Sequence, residues 1–161
     1  MGNIVSIIMG SESDLETVQE AINVLREFKV AQEIKVLSAH RTPKELAAYV
    51  EAAPKRGVKV FICAAGGAAA LAGVVAAHSA LPVIGIPIET KALKGLDSLL
   101  STAQMPGGIP VASMAIGKAG AKNSALFALE ILGVTDDRLR ARLWAYKNKM
   151  RVKIKNIKLK A

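Results

Sequence analysis

An alternation constrains this chain more than anything else in it. Strand-length apolar runs take turns with segments whose apolar residues recur every three or four positions. Ile4 to Met9 is continuous and β-branched, as expected of a parallel strand buried on both faces. Leu15 to Phe28 follows, with Leu15, Val18, Ala21, Ile22 and Leu25 on one helical stripe. The pattern repeats as strand Glu33 to Leu37, helix Lys44 to Ala53, strand Val58 to Ala64, small-residue helix Ala70 to Ala80 and strand Pro82 to Ile86. Helix Asp97 to Gln104, a Pro/Gly turn, a short strand near Val111 to Ala115 and helix Lys118 to Leu132, ended by Gly133, complete it. Such an order predicts an α/β fold, a parallel sheet covered by helices on both faces with right-handed crossovers. No internal repeat or linker interrupts it, so residues 1–161 read as a single domain.

The last segment reads as a long helix over about 136–158, with Thr135 as its cap and Asp136 and Asp137 in its first turn. Leu139, Leu143, Tyr146, Met150, Ile154 and Ile157 share one face, although the stretch Arg151 to Lys155 also alternates like a strand. A helix of this length exceeds what so small a body covers, so it is expected to pack on a neighbouring subunit. Of the chain's net charge of +9, this tail holds the positive excess. Arg138 to Ala161 contains ten Lys or Arg and no Asp or Glu, and the remainder is close to neutral. With the net positive charge confined to a tail and no aromatic-basic interleaving, no nucleic-acid partner is expected.

Composition excludes other classes. Hydrophobic residues make up 52% of the chain, which is incompatible with disorder. No apolar run reaches the roughly 18 residues of a membrane span, and the start lacks a basic, cleavable signal segment. Met1 to Ser6 fits a loose myristoylation pattern, but Gly2 leading into a buried strand accounts for it. The single cysteine, Cys63, lies inside an apolar strand and reads as a structural thiol in a reducing cytoplasm. No His, Cys or carboxylate cluster has metal-ligand spacing, so no metal is expected.

In open parallel sheets ligands bind beyond the carboxyl ends of the strands. Four loops are expected there: Gly10 to Asp14, Ser38 to Pro43, Ala65 to Ala69, and Pro87 to Lys91. The first two carry helix-start chemistry, with Ser13 and Glu16 as one capping box and Thr42, Pro43 and Glu45 as another. Free amides at helix starts attract anions. Ser11, Ser38 and the guanidinium of Arg41 could complete a phosphate site, though ordinary caps and a surface arginine would leave the same pattern. His40 stands between Ser38 and Arg41, where an imidazole can serve as acid and base; an idle exposed histidine is the alternative. His78, in the small-residue helix, reads as structural. Gly66 and Gly67 allow a backbone to approach a ligand or simply make a tight turn. Met105 to Pro110 reads as a lid or a connection.

Several runs taken in order resemble one family: Gly10-Ser11-Glu12-Ser13-Asp14, Ser38-Ala39-His40-Arg41-Thr42-Pro43, Ala65-Gly66-Gly67-Ala68-Ala69, Gly95-Leu96-Asp97-Ser98-Leu99 with Gln104-Met105-Pro106, and Ala115-Ile116-Gly117. They are similar to the bacterial and archaeal N5-carboxyaminoimidazole ribonucleotide mutases of purine biosynthesis. The resemblance implies a flavodoxin-like three-layer α-β-α fold assembled as a homo-octamer. It implies an isomerase that moves a carboxylate from the exocyclic nitrogen to ring carbon 4 of aminoimidazole ribonucleotide, without ATP, metal or organic cofactor. By the same resemblance His40 is catalytic; Ser11, Ser38 and Arg41 bind the phosphate and Asp14 the ribose; and Gly10, Gly66, Gly67, Ala68 and Leu71 complete the substrate site. Arg41 is what the mutase branch carries, whereas the branch that uses free carbon dioxide differs there. This chain departs from the family after the third strand. The usual Gly-Gly-Ala-Ala-His-Leu-Pro-Gly reads Gly66-Gly67-Ala68-Ala69-Ala70-Leu71-Ala72-Gly73, so Ala70 and Ala72 replace a histidine and a proline. That change keeps two further readings open: a related carboxylase or decarboxylase with another substrate, and a non-catalytic nucleotide-binding module docked through its basic tail.

Overall fold

The computed structural model describes residues 4–158, so part of the acylation pattern and the last three residues of the basic tail lie outside the described residues. Five parallel strands, β1 (Ile4–Met9), β2 (Ala31–Val36), β3 (Val58–Ala65), β4 (Val83–Pro87) and β5 (Ala112–Ser113), form one sheet in the order β2-β1-β3-β4-β5. The helices are α1 (Leu15–Glu27), α2 (Pro43–Glu51), α3 (Ala53–Arg56), α4 (Leu71–Ala77), α5 (Leu96–Ala103), α6 (Lys118–Gly133) and α7 (Asp137–Lys155). This is the parallel sheet covered on both faces that the alternation predicts, and the flavodoxin-like three-layer architecture that the resemblance implies.

The period of two along each strand divides the core. Val5, Ile7 and Met9 of β1 join Val60 and Ile62 of β3 against α1, α6 and the start of α7. Ile8 of β1 with Phe61 and Cys63 of β3 faces α2, α3 and α4 on the opposite side. The central strands are buried on both faces and read as continuous apolar runs, which is why their bounds follow the sequence closely.

The expectations that fail do so where tertiary contacts decide. β2 begins at Ala31 and not at Glu33, because this edge strand pairs only with β1 and its exposed residues carry little apolar signal. The second helix is two pieces, α2 and the short α3 with Pro54 in its first turn. Thr42 precedes α2 but does not cap it; its hydroxyl engages the backbone of Ser38 instead. Nor does Ser13 cap α1: Ser11 caps a 3-10 turn, Glu12–Asp14, that leads into it. At α7 the cap is Asp136, whose carboxylate accepts the Leu139 amide at 3.0 Å, displacing Thr135 from that role. Only Leu139 and Leu143 of α7 are buried. Trp144, Met150 and Ile154 are exposed, so the outer half of the helix leaves the body of its own chain.

Two glycines set helix distances. A Cβ at Gly85 of β4 would lie 2.2 Å from Thr102 Cγ2, so α5 rests directly on the strand. A Cβ at Gly120, in the first turn of α6, would lie 1.7 Å from the Ala115 carbonyl oxygen of the preceding loop. No side chain fits at either place without a shift.

Candidate active site

From β1 the chain crosses to β2 on one side and then returns past β1 to β3. Strand order reverses there, and the loops after β1 and β3 part to leave a crevice at the carboxyl ends of the strands. A cavity of about 430 Å³ occupies it.

The first wall is the loop after β1. The Gly10 amide is fixed to the Ala64 carbonyl at 3.0 Å. The Ser11 hydroxyl accepts the Ser13 amide at 3.3 Å and the Ser13 hydroxyl at 2.9 Å. Asp14 is only 8% exposed, with Ser13 Oγ at 3.4 Å from its carboxylate. Burial pushes the Asp14 carboxyl above its ordinary range, and the Ser11 backbone, the Ser13 hydroxyl and the Arg41 charge offset that only in part.

The second wall is the loop after β2. Ser38 and Thr42 close it with two reciprocal contacts, Ser38 N–H to Thr42 Oγ1 at 2.9 Å and Thr42 N–H to Ser38 O at 2.9 Å. Pro43 then starts α2 with the backbone angle that position needs. His40 and Arg41 are carried on the outside of this clamp. The Arg41 side chain reaches back across the crevice to the Gly10 carbonyl at 2.6 Å, and its Nε donates to Ser38 Oγ at 3.3 Å. The Arg41 backbone amide also donates to Ser38 Oγ, at 3.2 Å.

These contacts fix the polarity of the cavity. A hydroxyl has two lone pairs and one proton. Both lone pairs of Ser11 Oγ and both of Ser38 Oγ are engaged by donors of their own loops, so the group each can still offer is its O–H. Two free O–H donors beside a guanidinium make an anion site.

The third wall comes from the loop after β3, through Gly66, Ala68 and Leu71. Nine of the residues expected at the site therefore meet around one cavity: Gly10, Ser11, Asp14, Ser38, His40, Arg41, Gly66, Ala68 and Leu71. Gly67 does not line it. Its backbone has φ of 67°, and its N–H is turned away to Ser98 Oγ at 2.9 Å. The fourth loop does not reach the cavity either. Ile88 donates its amide to the Ala65 carbonyl at 2.9 Å, so that loop backs the third from behind. Ser13, Ala39 and Ala65, which lie in the expected loops but carry no individual site signal, also line the cavity. Ser13 had looked like a helix cap, and nothing in an alanine's sequence context marks it as a wall.

Other candidates fall elsewhere. His78 ends α4 and pairs through Nδ1 with Glu51 at 3.0 Å on the surface. Cys63 is fully buried, which pushes its thiol far above the ordinary value and leaves it inert. Met105 packs on α4, its sulfur 3.2 Å from where a Gly73 Cβ would sit, so the turn from Met105 connects and does not cover. Among the described residues no group of three His, Cys, Asp or Glu side chains could hold a metal ion, and no helix is long and apolar enough to cross a membrane.

Residues 4–153 match the AIR carboxylase family. The chain belongs to that family. It is 54% identical to the N5-carboxyaminoimidazole ribonucleotide mutase of Bacillus subtilis, with 89% of this chain and 88% of that protein aligned. It is 54% identical to the enzyme of the same name from Pyrococcus abyssi, covering 91% and 83%, and 48% identical to that of Saccharolobus solfataricus, covering 98% of each. Among solved structures, Treponema denticola PurE superposes with a TM-score of 0.84 at 28% identity, over 94% of both chains. The two alanines of the third loop that depart from the resemblance separate in space. Ala70 lines the cavity at the start of α4. Ala72 is buried in the first turn of α4, facing the sheet near Gly85, a position where either proline or alanine is compatible with the helix. Only Ala70 can touch a ligand.

Proposed function

We propose that this chain is a mutase of purine biosynthesis that converts N5-carboxyaminoimidazole ribonucleotide to 4-carboxy-5-aminoimidazole ribonucleotide. The names of its relatives support the substrate. The observation that carries the reading is His40 on the wall of the same cavity as two free serine O–H donors and Arg41. Ser11, Ser38 and Arg41 hold the 5′-phosphate, and Asp14 accepts from the ribose hydroxyls. Phosphate and ribose so anchored leave the imidazole ring beside His40, Gly66, Ala68 and Leu71. Protonated His40 gives its proton to the carbamate nitrogen, and the nitrogen–carbon bond breaks to release carbon dioxide. The electron-rich ring carbon 4 attacks the trapped carbon dioxide. Neutral His40 then removes the proton from that carbon and restores the aromatic ring. The proton returns to its origin, so the reaction is an isomerisation with no net consumption of a cofactor. An imidazole suits a group that must give and take a proton near neutrality. Gly67 takes part only by shaping the loop.

The proposal extends to assembly. A homo-octamer in the cytoplasm, built in part through the outer half of α7, would cover its exposed Trp144, Met150 and Ile154. Sedimentation of the full chain at micromolar concentration as a monomer would remove this part.

The test of function is direct. Purified protein is incubated with either carboxylated ribonucleotide, and the other is measured, wild type beside His40→Asn. Interconversion by wild type alone is expected; no turnover by wild type removes the mutase. Ala70 in the cavity wall supports a second reading, a related carboxylase or decarboxylase with a different substrate. In that case wild type converts neither carboxylated ribonucleotide into the other.

A further inference from the structure

Ser98 lies outside the cavity and has no part in the chemistry above, yet it is fully buried and joins three segments. Its hydroxyl accepts the Gly67 amide at 2.9 Å and donates to the Ile88 carbonyl at 2.7 Å. Gly85 admits α5 close to the sheet, which brings Ser98 within reach of both loops. Thr102 Oγ1 donates to the Ser98 carbonyl at 2.8 Å, a bond within α5 that involves neither the Ser98 hydroxyl nor the loops. The loop it holds contains two adjacent glycines, which change conformation at little cost.

We propose that Ser98 is a positioning residue for the reaction, fixing the Gly66–Gly67 peptide so that the cavity wall presents a set polarity to the substrate. In a planar trans peptide the N–H and the C=O point in opposite directions. With the Gly67 N–H held by Ser98, the Gly66 carbonyl points away from the Ser98 hydroxyl, and Gly66 is the residue of this peptide that lines the cavity. Without the hydroxyl, a Gly-Gly peptide can rotate and exchange that acceptor for a donor. The phosphate and ribose contacts lie on the other two loops and would not change. Loss of Ser98 therefore acts on the step at the ring and not on anchoring.

This inference rests on the mutase reading for its kinetic part and is independent of it for its structural part. Ser98→Ala is compared with wild type and with Thr102→Val, which removes a buried hydrogen bond on the same helix without touching the loop. Turnover in Ser98→Ala is expected to fall about tenfold or more in kcat, with KM within about threefold, as for a misplaced wall. Thr102→Val is expected to keep its kcat within about twofold even though both variants melt earlier. In amide exchange followed by NMR, the Gly67 N–H of Ser98→Ala should exchange at least about tenfold faster than in wild type, and that of Thr102→Val should not. Should Ser98→Ala fail to melt cooperatively, Ser98→Cys is judged by the same criteria. Unchanged Gly67 exchange overturns the proposal, as does a kcat that Thr102→Val lowers equally. Absence of turnover by wild type would remove the mutase alone, since the exchange rates still decide what Ser98 does.

Discussion

Two partly buried carboxylates, Asp14 beside the cavity and Glu33 under the edge of the sheet, meet opposite fates. Burial penalises both. At Glu33 the penalty is outweighed: Arg56 donates to both of its oxygens at 2.8 and 3.1 Å, and the Tyr49 hydroxyl donates to Oε1 at 2.6 Å. Its carboxyl is held below the ordinary range, while burial and the Glu33 charge push the Tyr49 hydroxyl up to about 12. Arg56 also lies over the Tyr49 ring, 4.3 Å from its centre, and Ser6 of β1 meets the same hydroxyl at 2.9 Å. This network joins β1, β2, α2 and α3 and is complete within the chain. Asp14 has no such set of partners and stays above its ordinary value. A polar cluster that holds the fold closes on itself, whereas one built for a ligand keeps a deficit that the ligand fills.

The sharpest way to test that contrast is at His40. His40→Asn should lower turnover by about a thousandfold, measured by interconversion of the two ribonucleotides, and leave the melting temperature unchanged. Arg41→Ala should raise KM by about ten- to a hundredfold, the scale of charge-assisted hydrogen bonds to a phosphate, and competitive inhibition by inorganic phosphate should weaken in parallel. On the structural side, Glu33→Gln should cost about 1 kcal/mol at neutral pH in urea unfolding and leave turnover intact. Because the folded-state value at Glu33 is depressed, its contribution is present above the unfolded carboxylate pKa and is lost as pH falls through the folded one. Wild type and variant should therefore converge in acid. Asp14 has the reverse sign. Its raised value means that the folded chain binds the proton more tightly, so stability falls as pH rises from the ordinary carboxylate range through the raised one. Asp14→Asn should remove that loss, raising the melting temperature at pH 7 by about 2 °C while weakening substrate binding. A variant that melted lower would show Asp14 to be as self-contained as Glu33, and the contrast would fail.

The layers and the central strands follow from features visible in the sequence, because strands buried on both faces leave continuous apolar runs. β2 was misplaced by two residues for the opposite reason: an edge strand with Ile34 37% exposed and Val36 52% exposed needs no continuous apolar run. The helix caps differ from the expected Thr42, Ser13 and Thr135, since a hydroxyl next to a helix has several backbone partners and the sequence does not say which one it takes. Most of the cavity's lining was legible because it comes from three short loops at the ends of strands. That the Gly67 amide turns away to Ser98 was not. Their hydrogen bond joins positions 31 residues apart, and no local pattern reports a contact of that range.

Gly120 gives the fold a vulnerability of a different kind. It binds nothing and lies in an ordinary helical turn, but any side chain there would run into the Ala115 carbonyl. In a survey of all single substitutions scored by growth, position 120 would rank with His40 as intolerant. The two would part company in the amount of folded protein in the cell: abundant and idle when His40 is replaced, depleted when Gly120 is.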